Sequence, residues 1–394
     1  MAVSKYPNRL FLPSSVSMKT EAPSALYIHI PFCKTICSYC DFYKMVAKDE
    51  LKEKYIAYLI RELESKKSMF SNLKTIYIGG GTPSSLKPAL LEKLLSEIKN
   101  LIALEKIEEY TIEANPNDIT PELVSILKQS GINRISLGVQ SFQGERLKIL
   151  NRNHKEEEVR RAMLYLKRGG FTNINIDLIY GLVDDDFTKI KADLKKAIRY
   201  GAVHLSTYSL IIEEKTVLYK RYQEGDFQVL DEDKEAELYR HLCHYLKRRG
   251  FKHYEISNFA RKNYQSKHNL TYWNNMNYIG VGANSSYYLG KIRYTNINNL
   301  EKYFSGIDEG KMIYREVEEL SDKDRMSEEM LLGLRKLEGV NLKHFQEKFG
   351  EDAFNVFPFI RHLIGLKLLE VKSDFLRIPE NKLYLSNEVL VNFI

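Results

Sequence analysis

From residue 25 the chain repeats one pattern: a short apolar or β-branched run, a polar loop, then a stretch with apolar residues at helical spacing. The runs ALYIHI (25–30), KTIYIG (74–79), EEYTIEA (108–114), NRISLGV (133–139), NINIDLIY (173–180) and VHLSTYSL (203–210) predict strands. Helices are predicted over 49–68, 86–100, 121–130, 155–169, 186–200 and 232–249. Strands alternating with helices imply parallel β/α units. Six units are fewer than a closed eight-fold barrel needs, so the expected fold is α/β, an open partial (β/α)6 barrel.

Past about residue 260 the alternation stops. SKHNLTYWNNMNYIGVGANSSYY reads as loop with short strands. Helices are expected near 322–336, 341–349 and 353–366, then a hairpin of VKSDFLRI and KLYLS around the turn PEN. Three helices and a hairpin resemble a winged-helix module. With no basic recognition helix, it is expected to pack rather than to bind DNA. The domains are thus a tail over 1–24, a barrel over 25–260, a connecting segment over 261–310 and a helical, winged-helix-like domain over 311–394.

Each β/α unit puts its unusual residues just past the strand, at the rim where β/α barrels build their sites. A cysteine-rich loop follows the first strand and GGGTPSS the second. Glu113, Asn115 and Pro116 end the third, Gln140, Ser141 and Phe142 follow the fourth, and Asp177, Tyr180 and Gly181 lie late in or behind the fifth.

Composition narrows the class. At 44% hydrophobic and 28% charged residues the chain reads as globular, and its apolar runs, such as LIYGLV, are far shorter than the roughly 20 residues of a membrane span. The net charge of +7 is dispersed, which suits solvated faces, and an acidic small ligand fits it equally well. The first 20 residues hold no acid, three basic residues and four serines, but Pro7 and Pro13 spoil a targeting helix. A disordered tail and a cytoplasmic protein are expected.

Four cysteines are not a disulfide framework. Cys33, Cys37 and Cys40, spaced C-x3-C-x2-C, suggest a metal site in a reducing compartment. A cubane cluster normally takes four thiolates, so three leave one iron open for a further ligand. Pro31, Phe32, Tyr39 and Phe42 would shield it. Zinc held by the three thiols with His29 is the other reading, although His29 sits in a strand pattern and is expected to buttress the loop. Cys243, in the helical stripe of Leu238, Leu242 and Leu246, is expected to be a buried structural thiol. His241, His244 and His253 read as surface residues.

The cysteine spacing after a first strand, with GGGTP after the second, resembles the radical S-adenosylmethionine (SAM) proteins. YIHIPFC, C-x2-C-DF, GVQSF, NR-x-H, IDLIYGL and HN-x2-YW are similar to the HemW heme chaperones, relatives of the oxygen-independent coproporphyrinogen III oxidases. The resemblance runs from about Tyr27 to Gly282 and loosely onward. It implies a 4Fe–4S cluster on the three cysteines, its open iron chelated by SAM, whose sulfonium is split by an electron from the cluster.

The resemblance also implies site roles. Gly80, Gly81 and Thr82 would contact SAM, Glu113 its ammonium or ribose, and Arg152 its carboxylate. Gln140 and Asp177 would hold ribose hydroxyls or nearby polar groups, and Tyr27 and Tyr39 would pack on SAM or beside the cluster. The oxidases carry a fourth cysteine where Phe42 stands, and a longer region ahead of the first strand. Both departures favour a chaperone that binds heme and delivers it to an acceptor, with the oxidase as the alternative. A flavodoxin or ferredoxin would donate electrons, and contact with a membrane would come only through the acceptor. His268 is the candidate axial ligand, beside the aromatic surface of Tyr272 and Trp273.

Overall fold

The structure is a computed structural model that describes residues 22–394, so residues 1–21 of the expected tail lie outside the described residues. The alternation is realised closely. In chain order run β1 (Ala25–Ile30), α1 (Asp49–Ser65), β2 (Thr75–Gly80), α2 (Pro88–Leu101), β3 (Glu109–Ala114), α3 (Pro121–Gln129) and β4 (Arg134–Gln140). They continue as α4 (Gly144–Ile149), α5 (Glu156–Arg168), β5 (Asn173–Tyr180), α6 (Phe187–Tyr200), β6 (His204–Ser209), α7 (Val217–Gln223) and α8 (Glu232–Arg248). The fold is α/β, with six β/α repeats.

The described residues form two compact units, the first comprising residues up to 138, 151–172 and 276–319, the second 139–150, 173–275 and 320–394. In the first, β1 to β4 pair in parallel in sequence order. Leu26, Ile28 and Ile30 of β1 are fully buried, as are Leu91, Leu94 and Leu95 of α2. Parallel strands covered by helices take apolar residues on both faces, which is why these runs read as continuous rather than alternating.

Where loop with short strands was expected, β9 (Tyr278–Val281) pairs in parallel with β1. It is followed by an antiparallel run of β10 (Ser286–Leu289), β11 (Ile292–Asn296) and, after α10 (Leu300–Asp308), β12 (Tyr314–Glu319). Gly280 in β9 shows why: a Cβ there would sit 2.3 Å from the Ser286 carbonyl oxygen, so glycine permits the close approach.

In the second unit β5 and β6 are parallel, and β7 (Lys252–Glu255) and β8 (Asn258–Ala260) add antiparallel beside β6. His253 is buried rather than superficial, stacked on Phe259 at 4.2 Å, because it lies on the inward face of β7. The SKHNLTYW segment, expected as loop, is helical: α9 (Lys267–Trp273) follows Ser266, whose hydroxyl accepts from the Asn269 amide at 3.3 Å.

The C-terminal part holds α11 (Asp322–Gly333), β13 (Val340–Asn341), α12 (Leu342–Phe349), α13 (Ala353–Val356), α14 (Ile360–Gly365), β14 (Glu370–Lys372) and β15 (Phe375–Arg377), then α15 (Ser386–Leu390). The helix expected over 353–366 breaks at Phe357, because the residue before Pro358 is steered out of helical geometry. The hairpin turns at Ser373 and Asp374, both at positive φ, not at PEN, and residues 380–385 form a 3-10 helix. No described helix is long and apolar enough to cross a membrane.

Candidate cluster and cofactor site

The cysteine loop is tied down at both ends. Cys33 N donates to Met45 O at 2.9 Å, and Met45 N to Pro31 O at 2.7 Å. Phe32 is buried and meets the Tyr55 ring edge-on at 5.2 Å. Between these anchors Lys34 Nζ pairs with Asp118 at 2.6 Å, and Asn151 Nδ2 donates to Ile36 O at 2.7 Å. Phe42 is 66% exposed and shields nothing in this structure. The chain is pinned at Phe32 and Met45, and Phe42 lies outside that grip.

The glycine loop of β2 packs directly on this loop. Gly81 N donates to Ile30 O at 2.8 Å and Thr82 N to Phe32 O at 2.8 Å. A Cβ on Gly81 would lie 2.8 Å from Phe32 O and 3.0 Å from Cys33 Sγ. Gly80 is at φ +115°, and a Cβ there would fall 2.6 Å from the His29 ring. Two glycines are therefore required by close approach, and one also by backbone conformation. Thr82 Oγ1 stands 3.6 Å from Cys33 Sγ and accepts from Asn115 Nδ2 at 3.3 Å.

The three thiols share one electrostatic environment. Burial first, with smaller contributions from neighbouring Cys37 and Cys40, pushes the Cys33 thiol up to about 11 against the opposing hydrogen bond from Thr82. Burial also raises Cys40. Arg152 Nη1 donates to Cys37 Sγ at 3.4 Å. Half-buried Tyr39 has its phenol raised well above the usual range, by burial first and then by Cys37. Cys33 is buried and Cys37 and Cys40 are half-buried, and the guanidinium beside Cys37 supplies positive charge that suits a cluster held by thiolates. Among the described residues no three His, Cys, Asp or Glu side chains close around one point as a single ion would need. His29 offers no free nitrogen: Nδ1 accepts from Tyr27 Oη at 2.9 Å, and Nε2 donates to Tyr43 O at 2.9 Å. It buttresses the loop, and burial lowers its pKa to about 4, so the ring is neutral.

Glu113, at the end of β3, lies over the β2 glycines. Its Oε2 accepts from Gly80 N at 3.1 Å and its Oε1 from Tyr77 Oη at 2.7 Å. The carboxylate also raises Tyr27, after burial. Arg152 Nη2 donates to Asn115 Oδ1 at 2.7 Å. Tyr27, Tyr39, Gly80, Gly81, Thr82, Glu113 and Arg152 thus belong to the first unit, together with the cysteines. Tyr77, Asn115 and Asp118 join them through hydrogen bonds that span the loops; the sequence marked Asn115 at the strand rim, and no local motif announced Tyr77 or Asp118.

Gln140, Asp177 and His268 belong to the second unit. Gln140 adopts φ +65°, a conformation that costs about 1–3 kcal/mol for a non-glycine residue. It is held by the turn behind it, where Asp193 accepts from Ser141 Oγ at 2.6 Å and Phe142 N at 3.1 Å. Buried Arg146 pairs with Asp185, whose carboxylate accepts from Gly181 N at 2.9 Å and Leu182 N at 3.0 Å. Asp177 Oδ1 accepts from Asn175 Nδ2 at 2.6 Å.

His268 is buried, and its Nε2 meets Tyr272 Oη at 2.8 Å. The Trp273 Nε1–H is buried without a hydrogen-bond partner among the described residues, and the Arg335 guanidinium lies 5.3 Å from the ring. Cys243 is half-buried, its thiol pushed up to about 12 by burial.

A six-repeat β/α chain with three thiols after its first strand and a glycine loop packed against them defines a radical SAM protein. The Radical SAM superfamily pattern matches residues 27–194, and that of the HemN C-terminal domain residues 320–384. The heme chaperone HemW of Lactococcus lactis is 41% identical over 375 residues, 95% of this chain and 98% of that one. Its Bacillus subtilis counterpart is 37% identical over 372 residues, 93% and 98% of the two chains. The Escherichia coli one is 32% identical over 378 residues, 94% and 98%. Among solved structures, coproporphyrinogen III oxidase (HemN) from Escherichia coli, a radical SAM enzyme, matches with a TM-score of 0.81 at 21% identity, covering 95% of this chain and 90% of that one. That likeness speaks for the fold. The chain belongs to the HemW family.

Proposed function

We propose that this protein is a heme chaperone that binds heme and transfers it to an acceptor protein, with a 4Fe–4S cluster on Cys33, Cys37 and Cys40 and SAM beside it. The observation that carries this reading is the similarity, over 95% of the chain, to a protein named heme chaperone HemW. The bound cluster and SAM would supply one-electron chemistry at the open iron.

The chain's own residues prepare that seat. Phe32 keeps water from Cys33, and Arg152 holds positive charge against Cys37. Gly80, Gly81 and Thr82 would contact SAM through the backbone, with Tyr27 and Tyr39 beside it. Glu113 would hold its ammonium or ribose, Arg152 its carboxylate, and Gln140 and Asp177 its ribose hydroxyls.

His268 would be the axial heme ligand, exchanging its bond with Tyr272 for one to iron. The unpaired Trp273 indole N–H and the Tyr272 ring offer a donor and a stacking surface. The net charge of +7 suits the heme propionates. The protein would work in the cytoplasm with a flavodoxin or ferredoxin as electron donor, approach a membrane only through its acceptor, and bind no DNA.

The test titrates hemin into anaerobic, cluster-loaded protein and then adds a heme-free acceptor. A saturable Soret band that moves to the acceptor is expected, weakened by His268→Ala. Formation of protoporphyrinogen from coproporphyrinogen III and SAM would instead make the protein an oxidase.

A further inference from the structure

Inside the second unit, buried polar groups form one directional chain. The Ser266 amide donates to Tyr254 Oη at 3.1 Å. Tyr254 Oη meets His204 Nε2 at 2.7 Å, and His204 Nδ1 meets Asn175 Oδ1 at 2.7 Å. Asn175 Nδ2 then donates to Asp177 Oδ1 at 2.6 Å. Asn175 Oδ1 can only accept, so the His204 proton sits on Nδ1, and Nε2 accepts from Tyr254. Every donor therefore points the same way, from the start of α9 toward the Asp177 carboxylate. His204 and Ser266 are wholly buried, and Asn175 and Tyr254 nearly so. In such surroundings a chain of hydrogen bonds polarises along its length, and a change at one end alters the strength of the next link.

The two ends give the chain its meaning. Asp177 is the candidate ribose contact on β5. Ser266 caps α9, the helix of His268, whose Nε2 is closed onto Tyr272 within that same helix. No motif in the sequence pointed to His204, Asn175 or Tyr254.

We propose that His204 is a positioning residue that couples SAM at Asp177 to heme on α9, so that each ligand raises the affinity of the other. The inference rests on the chaperone reading. A ligand that hydrogen-bonds Asp177 competes with Asn175 for the carboxylate. The weakened link passes through His204 and Tyr254 to the cap of α9, and His268 leaves Tyr272 more readily. The two states are the closed and open His268–Tyr272 pair, and linkage makes the effect reciprocal.

The test uses the full chain, cluster-loaded and anaerobic. Hemin affinity is read from the Soret band with and without SAM, and SAM affinity by equilibrium dialysis with and without hemin. SAM is expected to tighten hemin on the order of tenfold, and hemin to tighten SAM by the same factor. Tyr254→Phe, which removes one hydroxyl, and His204→Phe should abolish the coupling while both ligands still bind. His204→Gln, which keeps a donor and an acceptor, should restore part of it. Hemin and SAM binding independently in the unaltered protein would overturn the coupling and leave the chaperone reading intact. Coupling that survives both Tyr254→Phe and His204→Phe would overturn the role of His204. Absence of any hemin binding would overturn both readings together.

Discussion

Arg152 reaches Cys37 through Nη1 at 3.4 Å while Nη2 holds Asn115 Oδ1 at 2.7 Å. A guanidinium fixed at one end by a neutral amide keeps its charge beside the thiol whether or not a ligand is present. Hydrogen bonds to charged groups contribute about 1.5–3 kcal/mol. Arg152→Met, which keeps the bulk and drops the charge, is therefore expected to weaken cluster retention on the order of tenfold. Iron and sulfide retained against a chelator would measure it, with Arg152→Lys falling between.

Gly81→Ala should damage the same loop from the other side. The added methyl would meet backbone atoms of Phe32 at 2.8 and 2.9 Å, and backbone cannot yield as a side-chain tip can. Overpacking of this kind costs about 1–3 kcal/mol. The unfolding free energy of the metal-free protein, read from denaturant titration, should fall by that amount, and cluster incorporation should fall with it. Gly144→Ala, where a Cβ meets nothing within 4 Å, is the control.

Glu113→Gln keeps the shape of a group that accepts from Gly80 N and Tyr77 Oη but removes its charge. If the carboxylate faces the SAM ammonium, SAM affinity should drop about tenfold or more, with cluster content unchanged. Equilibrium dialysis on cluster-loaded protein separates the two effects. Tyr77→Phe should give a smaller loss.

The second unit carries two buried groups with opposite pH dependence. Burial lowers His253 from 6.5 to about 4, and burial raises Glu255 from 4.5 to about 7. The His253 contribution is complete above pH 6.5 and is lost as pH falls toward about 4, because only the unfolded chain takes up the proton. The Glu255 contribution is complete below pH 4.5 and is lost as pH rises through about 7. The two oppose each other between those limits. His253→Phe should make the unit more stable as pH falls from 7 to 5, and Glu255→Gln less stable, by at most about 1.4 kcal/mol per pH unit each. Urea midpoints across that range check both signs.

The repeat was legible because β/α units write themselves locally. Val159, Ala162, Met163 and Leu166 stripe one face of α5, and those four are its buried residues. The capping serine of α9 was also in plain view, but a segment rich in Asn and Tyr masks a seven-residue helix that packing holds. The hairpin was misplaced because PEN looks like a turn, whereas Ser373 and Asp374 take the left-handed positions.

The amino-acid order alone determined the α/β class, the three-thiol spacing and the glycine-rich run, because neighbours along the chain supply that information. Only tertiary structure decided which partners hold the site. Lys34 with Asp118, Tyr77 with Glu113 and His204 with Asn175 meet across separate strands and loops. A hydrogen bond needs atoms about 3 Å apart, and sequence spacing carries no such distance once the chain has turned back on itself.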